Sequence, residues 1–298
     1  MTNFQKDFRH YRATYSLAAI TLGVWLSQLF ANGAQATNPI NLFHFGALFG
    51  PDIIEYPSHI WRLVTPIFVH IGWEHFLLNF LSLIFIGRQI EAIFGSRRFF
   101  AIYLLSGIYG NILTFFLKPE TLSAGASTSL FGIFGAMAML GYLTKNPSFQ
   151  AVGKQFAVLI LANLAINVFQ PDVGIFGHIG GALGGVLLAA PFAPKILQTK
   201  ITETQKVTFF LVYLVSAVLM VLLTIMGWPD LYETTGNLAT LTQSSVVFLS
   251  DLGASTSKIY FVNKIIKNLV CKTLVKIKIK WQYIGIDHWK CLPLVVER

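Results

Sequence analysis

GIFGHIGGALGGVLLAAPF, residues 174–192, is a run of nineteen residues without a charge. A helix of about this length crosses a hydrocarbon core roughly 30 Å thick. Within it Gly180 and Gly184, and likewise Gly181 and Gly185, repeat at four. Small residues at that spacing share a helix face and let a second helix approach closely in lipid. One polar side chain interrupts the run near its start, His178. A polar group inside a span is costly, which makes it a functional suspect by default.

The same texture recurs along the chain. Of 298 residues 54% are hydrophobic and only 12% charged, about half the charge of an average soluble domain. That balance excludes a soluble globular enzyme and an intrinsically disordered protein together. Apolar runs lie at 13–31, 73–94, 99–117, 125–143, 155–170, 174–192 and 207–227. The second carries Arg88 and Glu91 near its end, and the fifth is short and holds Asn163 and Asn167. The reading is an all-α polytopic membrane protein, with a six-helix core and a seventh C-terminal span. The domains expected are an N-terminal segment 1–12, a core 13–195 with an outer loop 32–72, a loop and seventh span 196–227, and a tail 228–298.

Charge sets the orientation. Lys6, Arg9, Arg12, Arg88, Arg97, Arg98, Lys145, Lys154, Lys195, Lys200 and Lys206 fall in one alternating set of segments; only Arg62 and Lys118 fall in the other. Positive residues stay in the cytoplasm, so the N-terminus is expected on the cytoplasmic side of a cell membrane. Spans two, four and six then enter from outside. His75 and Asn79 lie near the start of span two, Ser127 at the start of span four and His178 at the start of span six. All four groups share one depth, just below the outer surface. His75 and Asn79, four apart, share a helix face.

This set has the parts of an acyl-transfer site. A Ser hydroxyl is activated when a His nitrogen comes within hydrogen-bond reach, and close packing of spans four and six supplies that approach. In Gly125-Ala126-Ser127 the serine sits on a glycine-flanked turn into a helix, where its N–H favours a developing oxyanion. Each feature alone reads as ordinary: an intramembrane Ser usually bonds back to its own helix, and Thr128 and Ser129 are competing hydroxyls beside it.

Together these residues resemble the rhomboid family of intramembrane serine proteases. The resemblance covers about residues 10–195 and rests on Trp61-Arg62, His75-x-x-x-Asn79, Gly125-x-Ser127 and Gly177-His178 with the glycine repeat. It implies that Ser127 is the nucleophile, His178 the general base, and the Ser127 N–H, His75 and Asn79 the oxyanion hole. Phe131 matches an aromatic that packs on the base, His70 a histidine that precedes the oxyanion pair, and Arg62 an arginine that stabilises the first outer loop. No acidic third member is implied, and Asp172 is a weak candidate to orient the base. The implied partners are transmembrane protein substrates and the lipid bilayer, with access beside spans two and five. No cofactor, metal or nucleic acid is expected. An inactive relative that binds transmembrane clients is the alternative. A small-solute transporter would instead place its polar set at midplane, in discontinuous helices and inverted repeats.

The end of the chain departs from this pattern. Residues 228–256 are polar and read as a linker. Residues 257–298 hold nine Lys/Arg against Asp287 and Glu297, and both cysteines, Cys271 and Cys291. A cationic membrane-surface segment is one reading of that tail; no selected function is the other.

Overall fold

The computed structural model describes residues 3–167, 174–195, 197 and 199–251, with backbone alone beyond 227. Seven main helices follow one another: α1 (Arg12–Asn32), α2 (Trp73–Phe94), α3 (Ser96–Leu117), α4 (Ser127–Leu143), α5 (Pro147–Asn167), α6 (Ile175–Ala189) and α7 (Glu203–Asp251). No strand occurs among the described residues; Leu48 with Ser123 and Thr144 with Thr199 form isolated bridges. Among the described residues five helices are long and apolar enough to cross a membrane: α1, α2, α3, α5 and the Glu203–Gly227 part of α7. The other two, α4 with 17 residues and α6 with 15, are shorter. Residues Met1–Trp228 form one compact unit and Pro229–Arg298 a second.

The apolar runs become helices because lipid offers the backbone no partners outside the segment. Between helices, burial of apolar surface gives little drive in lipid, so contact quality decides. Here glycine does that work. A Cβ on Gly181 would collide with the carbonyl oxygen of Thr128, and one on Gly185 with that of Gly132. A Cβ on Gly180 would meet Leu113 Cβ at 2.7 Å, and one on Gly184 Tyr109 Cβ at 2.8 Å. The two repeats therefore serve different neighbours. Gly181 and Gly185 seat α6 on α4, while Gly180 and Gly184 seat it on α3. Thirteen of the seventeen residues of α4 are buried, so α4 is central. α5 buries Gly153 alone and is peripheral; Gly153 and Gly141 lie where their added Cβ atoms would meet the other's Cα at 2.6 Å.

The charges that marred span two are accounted for. Glu91 is 1% exposed and its carboxylate accepts from the N–H groups of Ala13 (3.0 Å) and Thr14 (2.7 Å). It satisfies donors that the first turn of α1 leaves orphaned. Arg88 pairs with Asp7 at 2.8 Å and lies over the Tyr11 ring. A one-turn π bulge at Leu83–Gly87 lies within α2.

Span five differs from expectation. It starts eight residues earlier, at Pro147, and runs 21 residues. Asn146 accepts from the N–H of Ser148 at 2.9 Å and Pro147 opens the helix, a favoured N-terminal arrangement. Asn163, which weakened the sequence signal, donates its amide to Leu159 O within the helix at 2.8 Å. The polar stretch from 228, read as a linker, has helical backbone as far as Asp251; its Leu, Ala, Gln and Val residues are compatible with helix once α7 has nucleated one. Residues 252–298, and with them the basic tail, lie outside the described residues.

The 32–72 segment is a set of short helical turns, including Pro39–His44, Gly50–Glu55 and Pro57–Leu63. Arg62 organises it. Its side chain pairs with Asp52 at 2.7 Å, and its Nη1 donates to Phe43 O at 2.7 Å and Ala47 O at 3.2 Å. The guanidinium lies 3.8 Å from the Phe43 ring centre and 4.5 Å from that of Trp61. The segment then reaches the chain before α4. Leu48 and Ser123 exchange backbone hydrogen bonds at 2.8 and 2.9 Å, and Gly50 N–H donates to Pro119 O at 2.8 Å.

Candidate active site

Gly125 sets the position of Ser127. Its φ is +135°, a backbone region that glycine tolerates and other residues rarely adopt. Its N–H donates to Pro66 O at 2.8 Å, which holds the turn against the 32–72 segment. A Cβ here would stand 2.5 Å from His75 Cε1 and 2.8 Å from His75 Nε2. Glycine thus leaves room for an imidazole directly against the backbone that leads into α4. Ser127 is the first residue of that helix, among N–H groups without intrahelical partners.

His178 lies one turn into α6. Its Nε2 is 2.8 Å from Ser127 Oγ. The Phe131 ring lies against it, with centroids 4.3 Å apart and planes 5° from parallel. Its other nitrogen, Nδ1, is 2.6 Å from Nδ2 of Asn167 at the end of α5. The neighbouring hydroxyls are placed differently. Ser129 is fully buried and Thr128 nearly so, and neither hydroxyl has a hydrogen-bond partner among the described residues. Ser129 packs where a Cβ on Gly107 would strike it.

A cavity of about 530 Å³ opens beside this pair. Its walls come from α2, α4, α5, α6 and the loop before α4, and include His75, Asn79, Ser127, Phe131, Asn167 and His178. Asn79 is 6% exposed, and its Nδ2 has no hydrogen-bond partner among the described residues. It is therefore a buried donor at the cavity wall with its hydrogen-bonding capacity in hand. His75 stands beside His70, with ring centres 5.4 Å apart. His70 does not line the cavity. Its N–H and C=O are bonded to the Gln28 amide of α1 at 3.2 and 3.1 Å. Burial first, and the neighbouring His75 second, push its pKa down to about 3. Among the described residues, no cluster of three His, Cys, Asp or Glu side chains has metal-site geometry.

The structure therefore gathers Ser127, His178, Phe131, Gly125, His75 and Asn79 at one place, and sets Arg62 apart in the loop as its support. Asp172 lies outside the described residues. Two contacts were not anticipated, Asn167 on His178 and Gln28 on His70. Both residues are amides in otherwise apolar runs, the signal by which a polar group in a span is suspected.

The rhomboid domain model matches residues 57–195. GluP, a rhomboid protease of Bacillus subtilis (strain 168), is 34% identical over 183 residues, covering 61% of this chain and 36% of GluP. Rhomboid-like protease 3 of Toxoplasma gondii is 32% identical over 162 residues, covering 53% of this chain and 61% of that protein. YdcA of Bacillus subtilis (strain 168), named for the same family, is 30% identical over 196 residues, covering 63% of this chain and 92% of YdcA. The chain belongs to the rhomboid family, and its apolar helices make it a multi-pass membrane protein. It spans 36% of the length of GluP and 61% of that of the Toxoplasma protein.

Proposed function

We propose that this chain is an intramembrane serine endopeptidase in which Ser127 is the nucleophile and His178 the general base. The 2.8 Å approach of Ser127 Oγ to His178 Nε2, at the wall of a cavity, carries that reading. Ser127 Oγ attacks the scissile carbonyl carbon as its proton passes to His178 Nε2, and the carbonyl electron pair moves to the oxygen. That oxyanion meets the Ser127 N–H, the free Nδ2 of Asn79 and the His75 ring. The imidazolium returns its proton to the leaving nitrogen and the C–N bond breaks, leaving an acyl-serine. Water, deprotonated by the same imidazole, then releases the acid and restores Ser127.

All seven helices cross a cell membrane in this proposal, with the N-terminus cytoplasmic, as the distribution of Lys and Arg supports. α4 and α6, of 17 and 15 residues, are then only roughly 25 and 22 Å long. Their first turns begin below the outer surface, which recesses the dyad yet leaves the cavity as a path for water. Substrates are transmembrane segments of other proteins, admitted between α2 and α5, which both contribute walls to the cavity. A substrate helix must unwind locally, because a hydrogen-bonded helix hides its carbonyls.

The test uses purified protein in proteoliposomes with single-span reporters that carry small residues near one membrane boundary. Cleavage by the wild type, mapped by mass spectrometry and absent from Ser127→Ala and His178→Ala, is the expected result. Folded wild-type protein that retains reporters uncut would replace this reading with that of a client-binding relative.

A further inference from the structure

We propose that Asn167 is a positioning residue that sets the tautomer of His178; the inference rests on reading Ser127 and His178 as the dyad. The imidazole is held on three sides. Ser127 Oγ lies 2.8 Å from Nε2, Nδ2 of Asn167 lies 2.6 Å from Nδ1, and Phe131 covers one face. A neutral imidazole carries one N–H and one lone pair. To act as the base, His178 must present its lone pair at Nε2 to the Ser127 hydroxyl. Its single proton must then sit on Nδ1, and that N–H needs an acceptor.

In the structure Nδ2 of Asn167 faces Nδ1, and a half-turn of the amide, which exchanges Oδ1 and Nδ2, makes Asn167 that acceptor. With Oδ1 toward the ring, Nδ1–H is held, and Nε2 is free to accept from Ser127. With Nδ2 toward the ring, the amide donates to Nδ1 and the proton moves to Nε2. There it points at Ser127, and the base is blocked. The amide is thus a two-position selector, and catalysis uses the Oδ1 position. After proton transfer the same Oδ1 still accepts from Nδ1–H, so the imidazolium forms without the ring having to turn.

An amide also suits the place. A carboxylate at this position would bring a charge into an apolar site at a desolvation cost that an amide avoids. Asn163, the amide one turn before it on α5, cannot substitute. Its amide is bonded to Leu159 O one turn earlier in its own helix.

The experiment compares wild type, Asn167→Leu and Asn167→Asp in detergent. A fluorophosphonate serine probe gives second-order labelling rates, and nitrogen-15 spectra of the His178 imidazole read its tautomer. Leu keeps the volume and removes the acceptor; Asp keeps an acceptor oxygen. Asn167→Leu is expected to label at least about tenfold more slowly and to lose the Nδ1–H tautomer as the dominant form. Asn167→Asp is expected to return to within about threefold of wild type with Nδ1–H restored. Should Asn167→Leu not fold, Asn167→Ala takes its place with the same expectation. Wild-type rate and spectrum in the Leu or Ala variant would overturn the proposal, as would an Asp variant as slow as Leu. Wild type that fails to label overturns the dyad itself, and with it this inference.

Discussion

Asn79→Ala separates catalysis from stability in this protein. Asn79 is buried on α2 and lines the cavity, and its Nδ2 has no hydrogen-bond partner among the described residues. Its truncation therefore breaks no hydrogen bond among the described residues. Ordinarily, removing one member of a buried hydrogen bond leaves its partner unsatisfied at about 1–3 kcal/mol. Here Nδ2 has no such partner, so the expected change in stability is within about 1 kcal/mol. Turnover behaves differently. An oxyanion donor acts only when charge develops on the carbonyl oxygen, and loss of one costs about 10²–10³ in kcat, or roughly 2.7–4 kcal/mol. The assay pairs turnover of a fluorescent transmembrane reporter with thermal unfolding in the same detergent. A fall of two orders of magnitude in kcat, at an almost unchanged melting temperature, is expected. Wild-type kcat, or a loss that merely tracks the folded fraction, would refute the reasoning.

Three further outcomes follow from the packing and the charges. Gly185→Ala places a Cβ against the Gly132 carbonyl oxygen, and a backbone atom cannot rotate away. α4 and α6 must part at a cost of about 1–3 kcal/mol, seen as a lower melting temperature; an unchanged one would contradict the described packing. Arg62→Ala leaves Asp52 without this cation and the Phe43 and Ala47 carbonyls without this donor. It should destabilise by about 3–5 kcal/mol while labelling per folded molecule by a serine-directed probe stays at the wild-type level. His70 carries the pH prediction. Its folded pKa of about 3 lies below the ordinary 6.5, so between those values the unfolded chain binds the proton that the folded chain refuses. Stability contributed by neutral His70 is complete above pH 6.5 and is lost as pH falls, about 2 kcal/mol by pH 5. His70→Gln should flatten that acid slope in melting temperature, and an equal slope in the variant would exclude His70 as its source.

What the sequence shows plainly is what depends on local texture. Charge-free runs of about twenty residues give the helices, because the lipid interior allows little else. The glycine spacing in α6 predicts close packing, and the order of spans predicts that Ser127 and His178 meet. The division of labour between the two glycine repeats is not legible, since nothing in a four-residue period names the neighbour each face will meet. Glu91 reads as a blemish in span two until α1 is seen to present its open N–H groups to it. Asn167 likewise reads as a weakness in span five. Its contact with His178 depends on where the end of α5 stands relative to α6, a tertiary fact that no period encodes across a separation of eleven residues. Gln28 is the same case for His70, across forty-two residues of sequence.

The central claim, an activated Ser127 paired with His178, is tested most directly by fluorophosphonate labelling of folded, purified protein. Wild type should be labelled, Ser127→Ala and His178→Ala should not, and Ser129→Ala should label as wild type does. A label that survives Ser127→Ala, or that disappears with Ser129→Ala alone, would contradict the account.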